Sequence, residues 1–478
     1  MMQTRIGASV LTYREDITRD LQSLIRIKSV REAPLPGKPF GEGPYAALEH
    51  MLGLARDMGF SVRNVDGYAG HVEYGDGAET IGVLAHLDVV PEGEGWTVPP
   101  YGGILRDGIL YGRGASDDKG PAVAALHGLR AIRDAVESGS VPPLRRRIRV
   151  ILGCAEETGS EDMAHYFSRE PLPTMGFTPD AGYPVVNREK GLLRFWLHGA
   201  SGTPGAAVSG RGGRAGGHRA QIRWIRAGEA FNMVPQRCVA CLDPSALPAD
   251  ARAQIDQAAR TGLLADRETE EGLLLETAGI SAHGSVPERG TNAALRMVAV
   301  LAGIVDGDPL SSWLRFIRDR IGEETDGTSL GAACEDAVSG RLSLCVGMVA
   351  CDGGAAQLSL DVRYPVTLSG DDVAQAIRRT VESAGFRLET VSHSVPLYLP
   401  EDSLLIRTLQ QAQAMYSHEP VEAVAIGGGT YARAMQGRGV GFGGAGSGEH
   451  APDEHVAIEE LMCHAQICTQ AMYMLAQA

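Results

Sequence analysis

The sequence lacks long hydrophobic runs and any excess of basic residues. No segment of its 478 residues approaches the roughly 18 uninterrupted apolar residues that a membrane-spanning helix needs. Lysine and arginine number 44 against 59 aspartates and glutamates, which gives a formal net charge of −15 at pH 7. Because nucleic acids bind to basic surfaces, this charge argues against such a partner. We therefore expect neither a membrane nor a nucleic acid among the partners of this chain.

Cysteine is also scarce, and the start of the chain lacks the signals of secretion. Eight cysteines in so long a chain do not make a disulfide framework. Cys238 and Cys241 form a CxxC pair, but no second pair or nearby histidine completes a zinc site, and their apolar segment favours buried free thiols. No basic start precedes an apolar block of about 7–15 residues, so we expect no secretory signal. These features predict a cytoplasmic protein.

Length and the order of patterns predict two domains. A chain of 478 residues is too long for one ordinary hydrophobic core. Up to residue 191, helical patterns alternate with apolar strand-like runs, which is typical of an α/β domain with a largely parallel sheet flanked by helices. Beyond it the strand-like runs look antiparallel, and residues 199–217 hold eight glycines, as a loop does. We predict a first domain of residues 1–191 and 366–478 and an inserted α+β domain of residues 192–365.

One apolar run ends in a histidine and a carboxylate two residues apart. Residues Ile81–His86 are typical of a buried strand, and Asp88 follows them. Side chains at positions i and i+2 of a strand share a face, so we expect the His86 ring and the Asp88 carboxylate side by side. Such a pair suits a metal-bound imidazole whose position a carboxylate holds. A buried structural histidine with a polar neighbour is an alternative that these residues leave open.

Four further polar clusters follow strand-like runs or glycine-rich backbone. In open α/β sheets ligands bind outside the carboxyl ends of the strands, where we expect these clusters to lie. Turns, a helix cap or solvated surface could explain each of them singly. Adjacent Glu156 and Glu157 follow an apolar strand, so one can bind a cation while the other, facing the opposite way, moves protons. The clusters are Gly112–Gly120, Ala155–Ser160, Pro179–Pro184 and Glu449–Glu454.

Together, histidines and carboxylates at one type of sheet edge suit zinc or manganese, with cobalt as an alternative. A shared carboxylate can hold two such ions about 3.5–4 Å apart, which is a hydrolytic arrangement. The ordered motifs resemble the metallopeptidases of the M20 group, the aminoacylase-1/carboxypeptidase G2 family. The resemblance is closest to its dipeptidase branch, the PepV-like and carnosinase-like enzymes, and covers essentially the whole chain. The motifs are HLDVVPEG, GRGASDDKG, AEETGSED, PDAGYPV and EHAPDEH.

The resemblance implies a zinc-peptidase-like catalytic domain, with a mixed, largely parallel sheet flanked by helices, and an inserted α+β lid domain. Carried over position by position, it also implies two metal sites. His86, Asp117 and Asp180 would hold one ion. Asp117, Glu157 and His450 would hold the other, so that Asp117 is shared. The expected cofactors are two divalent ions, zinc first, with manganese or cobalt as alternatives.

The same resemblance assigns roles in catalysis. Asp88 would orient the metal-binding histidine near it, Glu156 would be the general base, and His283 of the lid would stabilise the oxyanion. The family also has a cis peptide at the position of Asp117–Asp118. From the residues alone, the two arginines among the implied substrate contacts could equally form structural salt bridges. The implied substrate-binding residues are Asn232, Arg363, Gly428, Thr430 and Arg433.

The resemblance implies hydrolysis of dipeptides by a water that bridges two metal ions. The alternative is an N-acyl-amino-acid deacylase or desuccinylase with the same centre, although those branches usually carry glutamate where this chain has Asp180. An inactive metal-binding protein is a remote alternative, because no expected ligand or base is missing. The expected partner is a small peptide substrate. We expect a monomer, with a homodimer as the alternative, because PepV-like chains with an enlarged lid act alone.

Overall fold

Two compact units make up the chain in this computed structural model, which describes residues 5–199, 221–306, 309–352 and 355–478. Unit 1 consists of Met1–Arg188 and Leu397–Ala478, and unit 2 is Glu189–Pro396. Unit 2 is therefore an insertion in the chain of unit 1. The predicted glycine-rich loop lies outside the described residues except for Gly199. Among the described residues, no helix combines the length and the apolar character needed to cross a bilayer.

Helices and strands follow one another through both units. The α-helices of the described residues are α1 (Arg14–Ile25), α2 (Glu42–Asp57), α3 (Lys119–Glu137), α4 (Glu161–Arg169), α5 (Ala249–Arg260), α6 (Ala293–Ile304), α7 (Pro309–Arg320), α8 (Gly370–Ser383), α9 (Leu404–Ala414) and α10 (Ile458–Gln477). The strands up to the end of β11 are β1 (Ser61–Val65), β2 (Ala69–Tyr74), β3 (Thr80–His86), β4 (Ile104–Arg106), β5 (Ile109–Tyr111), β6 (Arg147–Gly153), β7 (Met175–Thr178), β8 (Gly182–Glu189), β9 (Gly191–His198), β10 (Gln221–Ala227) and β11 (Arg237–Asp243). The strands after it are β12 (Ala265–Thr269), β13 (Gly272–Ala278), β14 (Glu335–Asp336), β15 (Gly340–Arg341), β16 (Ser343–Asp352), β17 (Ala355–Tyr364), β18 (Arg387–Ser394), β19 (Leu397–Tyr398), β20 (Val424–Ile426), β21 (Gly439–Gly443) and β22 (His455–Ala457). Short 3-10 helices lie at Ile6–Tyr13, Pro244–Ala246, Pro287–Arg289 and Tyr431–Met435.

Unit 1 is built on a mixed sheet whose strands lie in the order β1-β2-β6-β3-β7-β21-β8-β19, with β20 paired to β8. At its centre β3 runs parallel to β6 and to β7, and β21 runs parallel to β7. The β1–β2, β2–β6 and β21–β8 pairings are antiparallel. The predicted α/β class with a mixed sheet is confirmed, and the parallel pairings are those of the central strands.

The central strand β3 is apolar because it is enclosed on both faces. Six of the seven residues of β3 are buried, and parallel strands covered by helices need such continuous apolar sequence. Helices α3 and α10 pack on each other and on β3 and β6. Gly128 permits this close packing, since a Cβ there would lie 2.6 Å from the Thr469 hydroxyl on α10. The strand that ends in His86 is therefore held by two helices that also pack against each other.

Unit 2 contains an antiparallel sheet in the order β12-β13-β11-β10-β16-β17-β9-β18. Its buried face packs against helices of the same unit, including α6 and α8. The unit extends beyond the predicted end of the insertion at residue 365. Residues 366–396, which the sequence assigned to the first domain, belong to unit 2 because β18 pairs with β9 and α8 packs on both strands. The sequence marked neither element as a continuation of the insertion.

A buried histidine of unit 1 lies close to charged side chains of strands β2 and β6. The His71 ring on β2 is 5% exposed, and its Nδ1 lies 2.8 Å from the Tyr166 hydroxyl. Nearby, the Arg149 guanidinium donates to Glu73 at 2.6 Å. Burial, followed by the positive charge of Arg149, lowers the pKa of His71 to about 4. The native protein therefore keeps this imidazole neutral at pH values where the unfolded chain protonates it.

Acid should destabilise unit 1 through this histidine, and a His71→Asn exchange should remove the effect. Between the unfolded pKa of 6.5 and the native value of about 4, the unfolded chain binds the extra proton, so the free energy of unfolding falls as pH decreases. From pH 7 to pH 5 the loss is about 2 kcal/mol. Urea unfolding of both proteins at the two pH values measures it. The contributions of other titrating groups are the same in both proteins and cancel in the comparison. Equal losses of unfolding free energy in wild type and variant would therefore contradict the assignment of this effect to His71.

Candidate metal centre

The topology of unit 1 brings five of the predicted motifs to one edge of its sheet. His86 is the last residue of β3, Glu156 and Glu157 follow β6, and Asp180 follows β7. These three strands run parallel, so their carboxyl ends lie side by side. The segment with His450 follows β21, which runs parallel to β7. The loop before α3 completes the edge.

The five predicted metal ligands lie within a few ångströms of their neighbours in this cluster. His86 Nε2 is 2.8 Å from Asp117 Oδ1 and 3.8 Å from Asp180 Oδ2. His450 Nε2 is 3.2 Å from Asp117 Oδ2 and 3.1 Å from Glu157 Oε2. Asp117 thus directs one carboxylate oxygen to each imidazole, which is the position that a ligand shared by two ions would occupy. The Asp117–Asp118 peptide is cis, as the resemblance implied.

Two groups of donor atoms in the cluster, which share His86, are close enough together to hold an ion. One group is His86, Asp117 and Glu157, and the other is His86, Glu156 and Asp180, with all donor atoms of a group within 4.8 Å of one another. These groups overlap the predicted sets without matching either of them. Neither group contains His450, and the second contains Glu156, which was predicted to be a base. Glu156 is therefore an alternative ligand on geometry alone.

The electrostatics of the cluster test whether its residues fit a divalent cation. Burial, together with the surrounding carboxylates and against the opposing charge of His86, raises the pKa of Glu156 to about 8. Burial and the charge of Asp117 likewise raise the pKa of Asp180 well above its usual range. Buried carboxylates this close together need a compensating positive charge, and their oxygens with imidazole nitrogens form a donor set that suits zinc, manganese or cobalt. The residues present fit the predicted metal centre.

Asp88 differs from the prediction in how it contacts His86. The His86 Nδ1–H donates to the Asp88 main-chain carbonyl at 2.9 Å, whereas the Asp88 carboxylate lies 3.6 Å from the ring. That carboxylate instead accepts the N–H groups of Glu156 at 3.1 Å and of Glu157 at 3.2 Å. The carboxylate still lies beside the His86 ring, as expected, although β3 ends at His86 and the alternation of a strand does not continue beyond it. Asp88 therefore orients the ring through its backbone and the two glutamates through its side chain.

Two residues that sequence reasoning missed hold the same segment from the other side. Asp162 Oδ2 accepts the N–H groups of Cys154 at 2.6 Å and of Ala155 at 2.9 Å. The Tyr431 hydroxyl donates to the same oxygen, and its ring packs edge-on to the His86 ring at a centroid distance of 6.1 Å. Asp162 stands at the end of the motif AEETGSED, and Tyr431 lies between Thr430 and Arg433, two of the implied substrate-binding residues. Their places in the sequence could have indicated Asp162 and Tyr431 as candidates, but not the groups that they contact.

The predicted substrate contacts of unit 1 lie in the glycine-rich segment that ends in the 3-10 helix Tyr431–Met435. Thr430 caps this helix, since its hydroxyl accepts the N–H of Ala432 at 3.2 Å. Arg433 donates to the carbonyl of Gly428 at 3.0 Å. A Cβ at Gly429 would lie 2.6 Å from the Arg433 Nε, so glycine permits this close contact. These contacts bond Arg433 within its own segment, and the predicted substrate contacts stay predictions.

The three remaining predicted residues belong to unit 2. His283 and Asn232 are neighbours there, because Met233 bridges to His283 and the Gly284 N–H donates to the Asn232 carbonyl at 2.7 Å. The His283 Nδ1 also lies 2.7 Å from the Ser285 hydroxyl.

Arg363 on β17 is almost fully buried, and its Nε donates to Asp361 at 2.8 Å. It pairs in register with Ser343, whose hydroxyl lies 3.5 Å from the carbonyl of Gly284. The Asp361 pair is the salt bridge that the sequence left open as an alternative. The roles of His283, Asn232 and Arg363 in catalysis and substrate binding stay predictions.

A cavity of about 520 Å³ opens beside the cluster within unit 1. Asp117 and Asp180 line one part of it, and Tyr183, Ala445 and Glu449 line other parts. Sites for small ligands commonly have volumes of about 300–1,000 Å³. The cavity is therefore large enough for a small peptide next to the predicted ligands.

Comparisons with known proteins agree with the predicted family. Residues 82–474 match Peptidase family M20/M25/M40. "Putative dipeptidase YtjP" of Bacillus subtilis (strain 168) is 36% identical over 98% of this chain and 99% of its own length. A "Putative dipeptidase" of Staphylococcus epidermidis is 28% identical over 98% of both chains.

Two solved structures share the fold along almost the whole chain. Human carnosine dipeptidase 1 has a TM-score of 0.55 at 14% identity and covers 99% of both chains. The dipeptidase Dug1p from Saccharomyces cerevisiae has a TM-score of 0.58 at 11% identity and covers 99% of this chain and 98% of its own. The family predicted from the motifs is confirmed. The chain belongs to peptidase family M20/M25/M40, and it is thus an enzyme of the peptide-bond hydrolases.

Proposed function

We propose that the protein is a dipeptidase that works with two divalent metal ions bound at the unit 1 cluster. The observation that carries this proposal is the position of Asp117, whose two oxygens lie 2.8 Å and 3.2 Å from the imidazoles of His86 and His450. His86, Asp117 and Asp180 would hold one ion, and Asp117, Glu157 and His450 the other. The names of the relatives support dipeptides as the substrate class. Zinc is the ion that we propose first, with manganese or cobalt as alternatives.

The proposed mechanism assigns one task to each group of the chain. Two divalent ions, when bound, would make a water between them more acidic and would polarise the scissile carbonyl. Glu156 would take the proton of the attacking water and return it to the leaving amine, as a base that becomes an acid. The carboxylate of Asp88 would keep Glu156 in place through the N–H that it accepts at 3.1 Å. His283 would stabilise the oxyanion, a contribution of about 3–4 kcal/mol in hydrolases of known mechanism.

We also propose a cytoplasmic location and a monomeric state. All eight cysteines are free thiols, and most of them are buried, which suits a reducing compartment. Size-exclusion chromatography with light scattering tests the monomer against a homodimer.

A substrate panel tests the proposed activity. We expect the purified protein, supplied with Zn²⁺ or Mn²⁺, to hydrolyse dipeptides with a free amino group at least about 100-fold faster in kcat/KM than N-acetyl or N-succinyl amino acids. Metal analysis of the same sample should give two ions per chain. Glu156→Gln protein from a parallel preparation controls for contaminating peptidases. Faster cleavage of the N-acyl compounds would replace the proposal by the deacylase alternative, and no cleavage of either class with both ions bound would overturn it.

A further inference from the structure

Glu454 is a buried carboxylate for which the proposed mechanism has no role. Its side chain is fully enclosed, at 0% exposure. One oxygen accepts the N–H groups of Ser116 at 2.9 Å and of Asp117 at 3.1 Å. The other accepts the N–H of Gly114 at 3.0 Å and the guanidinium of Arg113 at 2.7 Å. All four partners are donors, and all come from the loop that ends in Asp117.

The segment that carries Glu454 makes further contacts with the same loop. The main-chain carbonyl of Glu454 accepts the N–H of Gly112 at 2.9 Å. At the other end of the segment, the Ser116 hydroxyl donates to Glu449 at 2.6 Å. Between these contacts lies His450, whose φ of 61° places it in the left-handed region that non-glycine residues rarely adopt. A backbone in this conformation needs surrounding contacts to hold it.

We infer that Glu454 is the positioning residue that sets the distance between Asp117 and His450, and with it the geometry of the second metal site. This inference rests on the proposed function in one respect, namely that ions bind at the cluster. Asp117 and His450 come from loops more than 300 positions apart in sequence. Glu454 accepts the backbone N–H of Asp117 and stands four residues after His450 in the sequence. Its carboxylate thus joins the two loops where their side chains approach to 3.2 Å.

The chemistry of this contact requires a carboxylate. Glutamine has the same shape, but its amide nitrogen is a donor. Each Glu454 oxygen now accepts two hydrogen bonds, and the amide nitrogen in place of one of them would meet two donors and accept from neither. The exchange would also leave the guanidinium of Arg113, which is 1% exposed, without its buried charge partner. Both effects release the loop that carries Asp117. We expect the second ion to bind more weakly while the residues that touch it are unchanged.

Metal binding to Glu454→Gln tests the inference independently of activity. Titration with Co²⁺, followed by its visible absorption and by equilibrium dialysis, should show two ions in the wild type. In the variant one ion should bind about 10–100-fold more weakly with an altered spectrum, as for other outer contacts of metal ligands. Glu170→Gln is the matched control, since Glu170 is a buried carboxylate of unit 1 paired with Arg63 and Arg149. It should lose stability but bind both ions as the wild type does.

The outcomes separate this inference from the proposed function. A wild type that binds no ion at the cluster would overturn the proposed function. A wild type and a Glu454→Gln variant that bind two ions with equal affinities and spectra would overturn the inference alone. If Glu454→Gln fails to fold, the double variant Arg113→Met/Glu454→Gln takes its place, because it leaves no unpaired buried charge. The same loss of affinity is expected there, and wild-type affinity would again overturn the inference.

Discussion

Replacing Glu156 by glutamine should lower kcat by about 10²–10⁴-fold while the protein retains two metal ions. Glutamine has the size and shape of glutamate but accepts no proton at neutral pH, so the attacking water would lose its base. The backbone of residue 156 would stay in place, because the Asp88 carboxylate holds its N–H rather than its side chain. Steady-state kinetics on a dipeptide and metal analysis of the same sample measure both quantities. The KM should change little, since the exchange removes no predicted substrate contact.

The neighbouring glutamate provides a matched control for this experiment. Glu157 follows Glu156 directly, and the same Asp88 carboxylate accepts its N–H at 3.2 Å. Its side chain lies 3.1 Å from His450, where it is predicted to bind the second ion. Glu157→Gln should therefore lose metal affinity, the opposite pattern to Glu156→Gln. Loss of metal from Glu156→Gln would show that Glu156 is a ligand, as its group with His86 and Asp180 allows, and would overturn its assignment as the base.

The sheet edge that carries the predicted ligands followed from local patterns in the sequence, whereas the assignment of these residues as ligands came from the resemblance to the family. Apolar runs identified β3 and β6, so that His86 is the last residue of β3, and Glu156 and Glu157 lie just beyond the end of β6. Parallel pairing then requires those ends to meet at one edge. Glycine-rich backbone likewise indicated the segment before His450. Each of these steps uses only the residues next to the site.

Contacts between distant segments could not be predicted in the same way. The carboxylate of Asp88 binds the backbone of residues 68 and 69 positions away, and no sequence pattern specifies such a pairing. Asp162 and Glu454 stand inside quoted motifs, yet their partners are backbone N–H groups, which every residue except proline has. The predicted end of the insertion, at residue 365, was wrong for a similar reason. β18 and α8 resemble any other strand and helix, and their place in unit 2 depends on their pairing and packing with β9.

Asp117 is the residue on which the two-ion proposal depends most directly, and Asp117→Asn should abolish the function of both sites. Asparagine keeps the volume of aspartate but presents one oxygen and one amide nitrogen, and the nitrogen cannot bind a cation. The imidazole of His86 lies next to one oxygen of the Asp117 carboxylate, and the imidazole of His450 lies next to the other. Whichever way the amide turns, one site loses a ligand and the other loses the negative charge. We expect less than two ions per chain at concentrations that saturate the wild type, and a fall in kcat of at least about 10³-fold.

Asp118→Asn is the matched control for this exchange. Asp118 is fully buried, and one of its oxygens accepts the backbone N–H of His86 at 3.2 Å, a contact that the oxygen of an amide preserves. Burial raises the pKa of Asp118 well above its usual range, which means that its surroundings disfavour a negative charge there. The control should therefore bind two ions. Equilibrium dialysis of both variants gives the comparison directly. Two ions bound by Asp117→Asn with wild-type affinity would mean that the two sites do not share this carboxylate, because a shared ligand cannot be neutralised without a cost to both.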